Sequence, residues 1–332
     1  MAEQVIARKN VGQGLGMLAF VLLGGLVIGI VLQVILALVA GTMGAALSAG
    51  NVVVALVWPV WAIVAVEAIY AKIPPYQRIM PLGTARAIVG FLALIFLWQI
   101  VASYLFTNAL VIVPLSKVWD AFLKLARSGE LWKHTSVSLQ EAALGFTSAA
   151  VVGVGLGLLL ATNARLRDYV GPWVSFLYAV PLVAIAPLFI VAFGIGIMSK
   201  VVVIFLVAVF IILVNTEVGV LSTDPNLVEA ARSFGASRAQ IFRKVLLPAA
   251  LPFIIAGLRL GVARSLVGVV VAELFGAKAG LGFLILASAQ VFDTASLFVG
   301  VLVLAVGGYL GVELLAWVEK KLAPWRHFEL RD

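Results

Sequence analysis

The sequence predicts an all-α bundle of membrane-spanning helices, and three observations carry that prediction. Hydrophobic residues fill 64% of the 332 positions and charged residues only 11%, with a mean hydropathy of +1.17, too apolar for a water-facing globule. Several apolar runs reach the roughly 20 residues that an α-helix needs to cross about 30 Å of hydrocarbon. Runs such as 201–213 are continuously apolar, unlike the alternating segments of about ten residues in a transmembrane barrel. Helices satisfy their own backbone hydrogen bonds where water is absent, so a bundle follows.

Length and polarity place eight spans, near 14–39, 52–71, 86–107, 137–160, 172–194, 200–220, 249–275 and 297–318. The first follows Arg8 and Lys9 but is longer than a signal-peptide core, so it is expected to stay as an uncleaved span. After the second, residues 71–87 set Pro74, Pro75 and Pro81 among Lys72, Arg78 and Arg86, which reads as a polar linker. A module boundary is therefore expected there, giving an N-terminal extension 1–85, a main domain 86–326 and a tail 327–332. Residues 113–134 carry Trp119, Phe122, Leu123, Leu125 and Trp132 among charges. That stretch reads either as an amphipathic helix at the outer interface or as an ordinary connecting helix. Gly25/Gly29, Gly153/Gly157 and Gly257/Gly261 repeat the four-residue spacing that lets helices approach closely in lipid.

The net charge of +8 comes from basic residues in short clusters between spans, not from one basic domain, so nucleic acid is not an expected partner. With the N-terminus in the cytoplasm, Arg8, Lys9, Lys72, Arg78, Arg86, Arg165, Arg167 and the basic residues of 232–244 and 320–331 fall inside. Lys117, Lys124, Arg127, Lys133, Lys200 and Lys278 fall outside. This bias predicts both termini inside. The chain has no cysteine, hence no thiolate site. Its two histidines, His134 and His327, lie outside the predicted spans and far apart, which argues against a membrane metalloenzyme. No catalytic residue and no metal ligand is predicted.

Residues 221–247 form the longest polar interruption between the late spans and read as helix, turn, helix. Asp224 or Asn226 caps the first helix, Pro225 sits in its opening turn, and Leu227, Val228, Ala231 and Phe234 form an apolar stripe. Gly235 ends it. Ser237 caps a second helix, 238–246, with Arg238, Arg243 and Lys244 on one face, and Pro248 and Pro252 mark the return to the membrane. A short amphipathic helix held outside the bilayer is shaped to dock in a partner's groove.

Glu229-Ala230-Ala231, then Gly235 after three residues and Val245-Leu246-Leu247-Pro248 after nine more, resembles the EAA loop of binding-protein-dependent ABC importer permeases. Val245 stands where the family pattern has isoleucine. The resemblance covers about 86–326 and looks closest to the nitrate, sulfonate and taurine branch. It rests on Gly129-Glu130-Leu131-Trp132, Ser138-Leu139, Gly145-Phe146, Pro187-Leu188-Phe189, Phe193-Gly194-Ile195-Gly196, Gly257-Leu258-Arg259, Ala272-Glu273 and Gly280-Leu281-Gly282, in that order. It implies a type I importer core of about six spans, with two extra N-terminal spans outside the match. It also implies a second permease copy as a homodimer, separate ABC ATPase subunits that bind ATP and Mg, an extracytoplasmic solute-binding protein, and a place in the bacterial inner membrane. The loop helix would be the coupling helix: Glu229, Arg232 and Arg238 offer charge at the dock, Ala230 and Ala231 permit close approach, Gly235 gives the turn, and Pro248 closes the motif. The chain lacks the Gly-x4-Gly-Lys-Ser/Thr phosphate loop, so ATP hydrolysis is expected in the partner.

Polar groups inside spans are costly and mark a solute path or a structural pair. The candidates are Asn215, Thr216, Glu217, Arg259, Arg264, Ser265 and Glu273. The two arginines would favour an anion, such as nitrate, a sulfonate or taurine. In the structural alternative, Arg259 or Arg264 pairs with Glu217 or Glu273. An ion-coupled secondary transporter is the competing class, but it gives no reason for the 221–247 motif.

Overall fold

Small residues decide where these helices meet. The computed structural model describes residues 82–102 and 112–323. The expected spans 14–39 and 52–71, the Gly25/Gly29 pair, most of the linker, part of the span 86–107 and the tail 327–332 lie outside the described residues. The described residues fall into two units, one ending at Ala121 and one beginning at Phe122.

In the first unit, α1 (Leu82–Ile100) carries the described part of the third expected span. Its Phe91, Leu92 and Leu94 are exposed, as suits a lipid-facing surface. Trp98 Nε1 donates to the Val113 carbonyl at 3.0 Å, and the Ser116 N–H donates to Gln99 Oε1 at 3.2 Å. These bonds tie the end of α1 to the start of α2 (Leu115–Arg127), which lies in the stretch read either as an amphipathic interfacial helix or as a connecting one.

The second unit holds α3 (Glu130–Thr162), α4 (Ala164–Ala179), a 3-10 turn (Leu182–Ile185), α5 (Ala186–Phe193), α6 (Ile197–Leu221), α7 (Pro225–Ser233), α8 (Arg238–Ile241), a π-helical turn (Phe242–Leu246), α9 (Leu247–Gly276), α10 (Leu281–Gln290) and α11 (Thr294–Leu322). Among the described residues, four helices are long and apolar enough to cross a membrane: α3, α6, the continuous Arg238–Gly276 and α11. They correspond to the spans expected at 137–160, 200–220, 249–275 and 297–318.

The span expected at 172–194 is not one straight helix. It is a pair, Ala164–Ala179 and Leu182–Phe193, bent by 78°. Val180 adopts extended backbone (ψ 132°) before Pro181, because proline disfavours helical geometry in the residue ahead of it. Pro187 then sits in the first turn of α5, where its missing N–H costs nothing. A second difference is α10, an apolar helix absent from the span pattern. Its ten residues reach only about 15 Å, half the hydrocarbon thickness.

At the centre, α6 packs between α3 and α9. The buried face of α3 is a stripe of His134, Ser138, Glu141, Gly145, Ala149, Gly153 and Gly157, spaced by three or four residues. A Cβ added at Gly153 would meet the Val209 carbonyl at 2.9 Å, and one at Gly157 the Leu213 carbonyl at 2.7 Å. On the other side, a Cβ at Gly257 would meet Asn215 Cβ at 2.7 Å, and one at Gly261 would meet Ile212 Cδ1 at 2.7 Å. Both glycine pairs seen in the sequence thus face α6, where missing side chains let backbones touch and dispersion contacts accumulate. Ala149, Ala208, Val209, Ile211 and Ile212 fill the seam, with Phe146 and Leu258 against them.

Candidate functional site

The 221–247 loop is built from local capping. Asp224 caps α7 by accepting the Asn226 N–H at 2.9 Å, with Pro225 in the first turn. At the far end, the Ala236 N–H reaches the Ala231 carbonyl (3.0 Å) and the Gly235 N–H reaches that of Arg232 (2.8 Å). This double closure is a Schellman motif, and its left-handed residue is Gly235 at φ +76°. A reciprocal capping box follows: Ser237 Oγ accepts the Gln240 N–H at 3.3 Å, while the Ser237 N–H donates to Gln240 Oε1 at 2.7 Å.

The second helix differs from expectation. Arg238 does not open a separate helix ending at 246. It opens a continuous helix, Arg238–Gly276, that runs into the membrane span. The device is the π-helical turn, in which the Leu247 N–H reaches back five residues to the Phe242 carbonyl. Widening the ladder immediately before Pro248 accommodates a ring that would otherwise crowd the preceding turn. Pro248 and Pro252 are therefore passed within one helix.

No residue of α7 is buried. Glu229, Ala230, Arg232, Gly235 and Arg238 are exposed and Ala231 partly so. Phe234, at the end of α7, is 92% exposed and Leu227 is 54% exposed. The capped end of α7 thus presents an aromatic ring to its surroundings rather than to the bundle.

The polar residues within spans divide into three groups. Thr216, Ser265 and Glu273 are buried within the chain. The first two hydroxyls donate to their own helix, to the Ile212 and Gly261 carbonyls, each at 2.8 Å. Asn215, Glu217 and Arg259 are half-buried; Asn215 Nδ2 donates to the Ile211 carbonyl at 2.7 Å. Arg259 pairs with Glu319 on α11 at 2.5 Å, not with Glu217 or Glu273 as the structural alternative has it. Arg264 is exposed on α9. An apolar cavity of about 270 Å³ opens between α3, α9 and α11, lined by Phe146, Leu266, Val303 and Leu304 among others. Its walls offer an anion almost nothing.

Sequence reasoning missed a polar cluster where α3, α6, α9 and α10 meet. Lys200 Nζ donates to Glu141 Oε1 at 2.7 Å, with both side chains buried. Glu273 Oε1 accepts from Ser138 Oγ at 2.5 Å, and its Oε2 accepts the Gly282 N–H at 2.6 Å. Ser138 Oγ also accepts the Leu281 N–H at 2.7 Å, and His134 Nδ1 accepts the Gly280 N–H at 3.0 Å. Three consecutive N–H groups at the start of α10 are thus held by side chains of α3 and α9, as the orphan donors of a helix N-terminus require. The available signal was His134, Ser138 and Glu141 at i, i+4 and i+7 on one face of α3.

Residues 153–324 match the family described as the binding-protein-dependent transport system inner membrane component. The chain belongs to this family of ABC importer permeases. The permease is 36% identical over 234 residues to the putative aliphatic sulfonates transport permease protein SsuC of Bacillus subtilis, covering 70% of this chain and 85% of that one. It is 32% identical over 243 residues to the taurine transport system permease protein TauC of Escherichia coli, covering 71% and 88%. It is 35% identical over 237 residues to the riboflavin transport system permease protein RibX of Chloroflexus aurantiacus, covering 71% and 88%. Its fold is shared with a chain of the MetNI methionine ABC transporter solved in an inward-facing form, at a TM-score of 0.50 and 24% identity, over 56% of this chain and 93% of that chain. The permease is accordingly a multi-pass inner-membrane transport protein of the sulfonate and taurine branch.

Proposed function

We propose that the permease carries a small anionic solute, such as a sulfonate, taurine or nitrate, into the cytoplasm by alternating access. Separate ABC ATPase subunits that bind ATP and Mg supply the energy, an extracytoplasmic binding protein delivers the solute, and two permease copies form the passage. Both termini are cytoplasmic in this arrangement, as the distribution of Lys and Arg favours.

The observation that carries the proposal is α7, a helix with no buried residue, capped at both ends and projecting Phe234 and Leu227 outward. Docked in an ATPase groove, Phe234 would supply the apolar anchor, and Glu229 and Arg232 would supply charge complementarity. The loop connects α6 to the 39-residue helix Arg238–Gly276, about 58 Å long at 1.5 Å per residue. A displacement of α7 would therefore enter the membrane through a continuous rod. Of the in-span polar groups, Arg264 is exposed on α9 and is assigned to the solute path.

The test is ATP hydrolysis and solute uptake by the permease reconstituted in liposomes with its ATPase, comparing the intact chain with Glu229→Arg. Loss of ATPase association and of ATP-dependent uptake is expected. Uptake that follows an ion gradient, needs no ATP and is unchanged in the variant would overturn the proposal.

A further inference from the structure

The break between α4 and α5 lies at mid-depth of the bundle, where irregular backbone is hardest to accommodate. Through Val174, α4 packs on Leu160 and on Leu213 of α6. Through Ala186, α5 packs on Ala272 and on Val203 of α6. Val203 and Leu213 are ten residues apart, about 15 Å along a helix, and they straddle Val209, the middle residue of α6 (Ile197–Leu221). The break at Val180–Pro181 joins the two contacts, so it sits level with the centre of α6.

Two carbonyls there lose the donors that a helix would supply. Four residues after Leu177 stands Pro181, which has no N–H, and the Val180 N–H goes to the Phe176 carbonyl at 3.2 Å. Four residues after Tyr178 stands Leu182, whose N–H turns instead to the Val180 carbonyl at 2.8 Å. The rest of the chain does not cover this place. Each helix of the pair buries a single residue, Val174 or Ala186, and Ala179, Pro181 and Ala184 at the break are exposed. Hydrocarbon offers a carbonyl no donor, and irregular backbone persists at membrane depth only where protein covers it or water reaches it.

Resting on the permease reading above, we infer that the α4–α5 break faces a water-filled passage rather than lipid and forms the mid-membrane wall along which a hydrated polar solute crosses. Water in the passage supplies the donors that the Leu177 and Tyr178 carbonyls lack. From Tyr169 to Ser199 the chain carries no charged side chain, so this wall holds waters by carbonyl oxygens and aromatic residues. A wall without fixed charge contacts a solute weakly enough to release it, as conduction requires. The bend serves the same end, because a straight helix here would present only apolar side chains to the passage.

The natural chain has no cysteine, so single thiols report their own surroundings. Ala179→Cys and Ala184→Cys flank the break at exposed positions and change little in size. Val151→Cys is the reference: it is 69% exposed on the unbroken α3, two residues from Gly153, which lies against Val209, and so stands at the same depth. Each full-length variant, assembled with its ATPase in liposomes, meets a charged, membrane-impermeant maleimide on both faces, at rest and during ATP turnover. Labelling of Ala179→Cys and Ala184→Cys in at least one state, with Val151→Cys unlabelled, is expected, because a charged reagent reaches mid-membrane only through water. If one break variant fails to assemble, the other decides. Break thiols that stay unlabelled in both states, shielded by lipid or by a dry contact with a second copy, overturn the inference. Labelling of Val151→Cys as well overturns it too, since water would then reach unbroken spans. A dry break would leave ATP-dependent uptake and its loss in Glu229→Arg untouched, so its failure is distinct from failure of the permease reading.

Discussion

Replacing Gly157 by alanine adds one methyl group to α3 and should destabilise the permease, whereas the same change two residues earlier should not. A Cβ at Gly157 would lie 2.7 Å from the Leu213 carbonyl oxygen and 2.7 Å from Thr216 Cβ, against an ordinary contact beginning at 3.4 Å. Neither neighbour is the free end of a flexible side chain, so α3 and α6 must part by roughly 0.7 Å along a seam that Gly153 keeps equally tight. Overpacking of this kind costs about 1–3 kcal/mol. At Gly155 an added Cβ meets nothing within 4 Å, and alanine gains about 0.5–1 kcal/mol of helix propensity over glycine. Both variants gain that propensity, so they should differ by the overpacking cost alone, about 1–3 kcal/mol. Thermal unfolding of both chains in one detergent, followed by calorimetry, measures the difference. Equal Tm values would refute the claim that α3 and α6 touch through bare backbone at this level.

Lys200→Met should cost about 3–5 kcal/mol by leaving Glu141 buried without its cation, and the double variant Lys200→Met/Glu141→Gln should regain most of that, read as a double-mutant cycle in chemical unfolding. Reversing the α9–α11 pair tests its electrostatic character: Arg259→Glu alone sets two carboxylates in contact and should lower both Tm and yield, while adding Glu319→Arg should restore them if the 2.5 Å pair is what holds the position. Arg264→Ala should leave assembly with the ATPase intact while weakening uptake of an anionic solute. Unchanged uptake by an assembled complex would remove Arg264 from the path.

Helix existence was legible in the sequence because span length is set by the bilayer, and α3, α6, α9 and α11 fall where long apolar runs demand them. The loop was legible for a different reason. Caps are local: Asp224, Gly235 and Ser237 act on backbone groups within a few residues, so their spacing carries the geometry. Prolines were the less certain guide. Pro181 breaks its helix at the 78° bend, yet Pro248, which follows a π-helical turn, and Pro252 are both passed inside one helix. What separates these outcomes is the hydrogen-bond ladder upstream, which residue identity alone does not reveal. The buried cluster was least legible. Lys200 lies 59 residues from Glu141, and Ser138 lies 135 residues from Glu273, so no local spacing brings these groups together. Arg259 likewise found Glu319, near the end of the last helix, over the two carboxylates considered for it.

The contacts of α9 differ in how much sliding they tolerate, and that difference locates the joint along which the bundle can move. Against α6, the approach is made by Gly257 and Gly268, where Asn215 Cβ and Ile204 Cα are the nearest neighbours. Such contacts lose much of their attraction within an ångström of separation and clash within less. The seam between α3 and α6 is of the same kind, so α3, α6 and α9 form one body. Against α11, α9 presents Leu266, a flexible side chain that reaches Gly308, and Arg259, whose long guanidinium arm meets Glu319. Leucine rotamers and an arginine fork can follow a neighbour through a shift that backbone contacts cannot. In the proposed mechanism, a push delivered through α7 and Arg238 would carry α3, α6 and α9 together and be taken up at the α9–α11 boundary, where the apolar cavity leaves room.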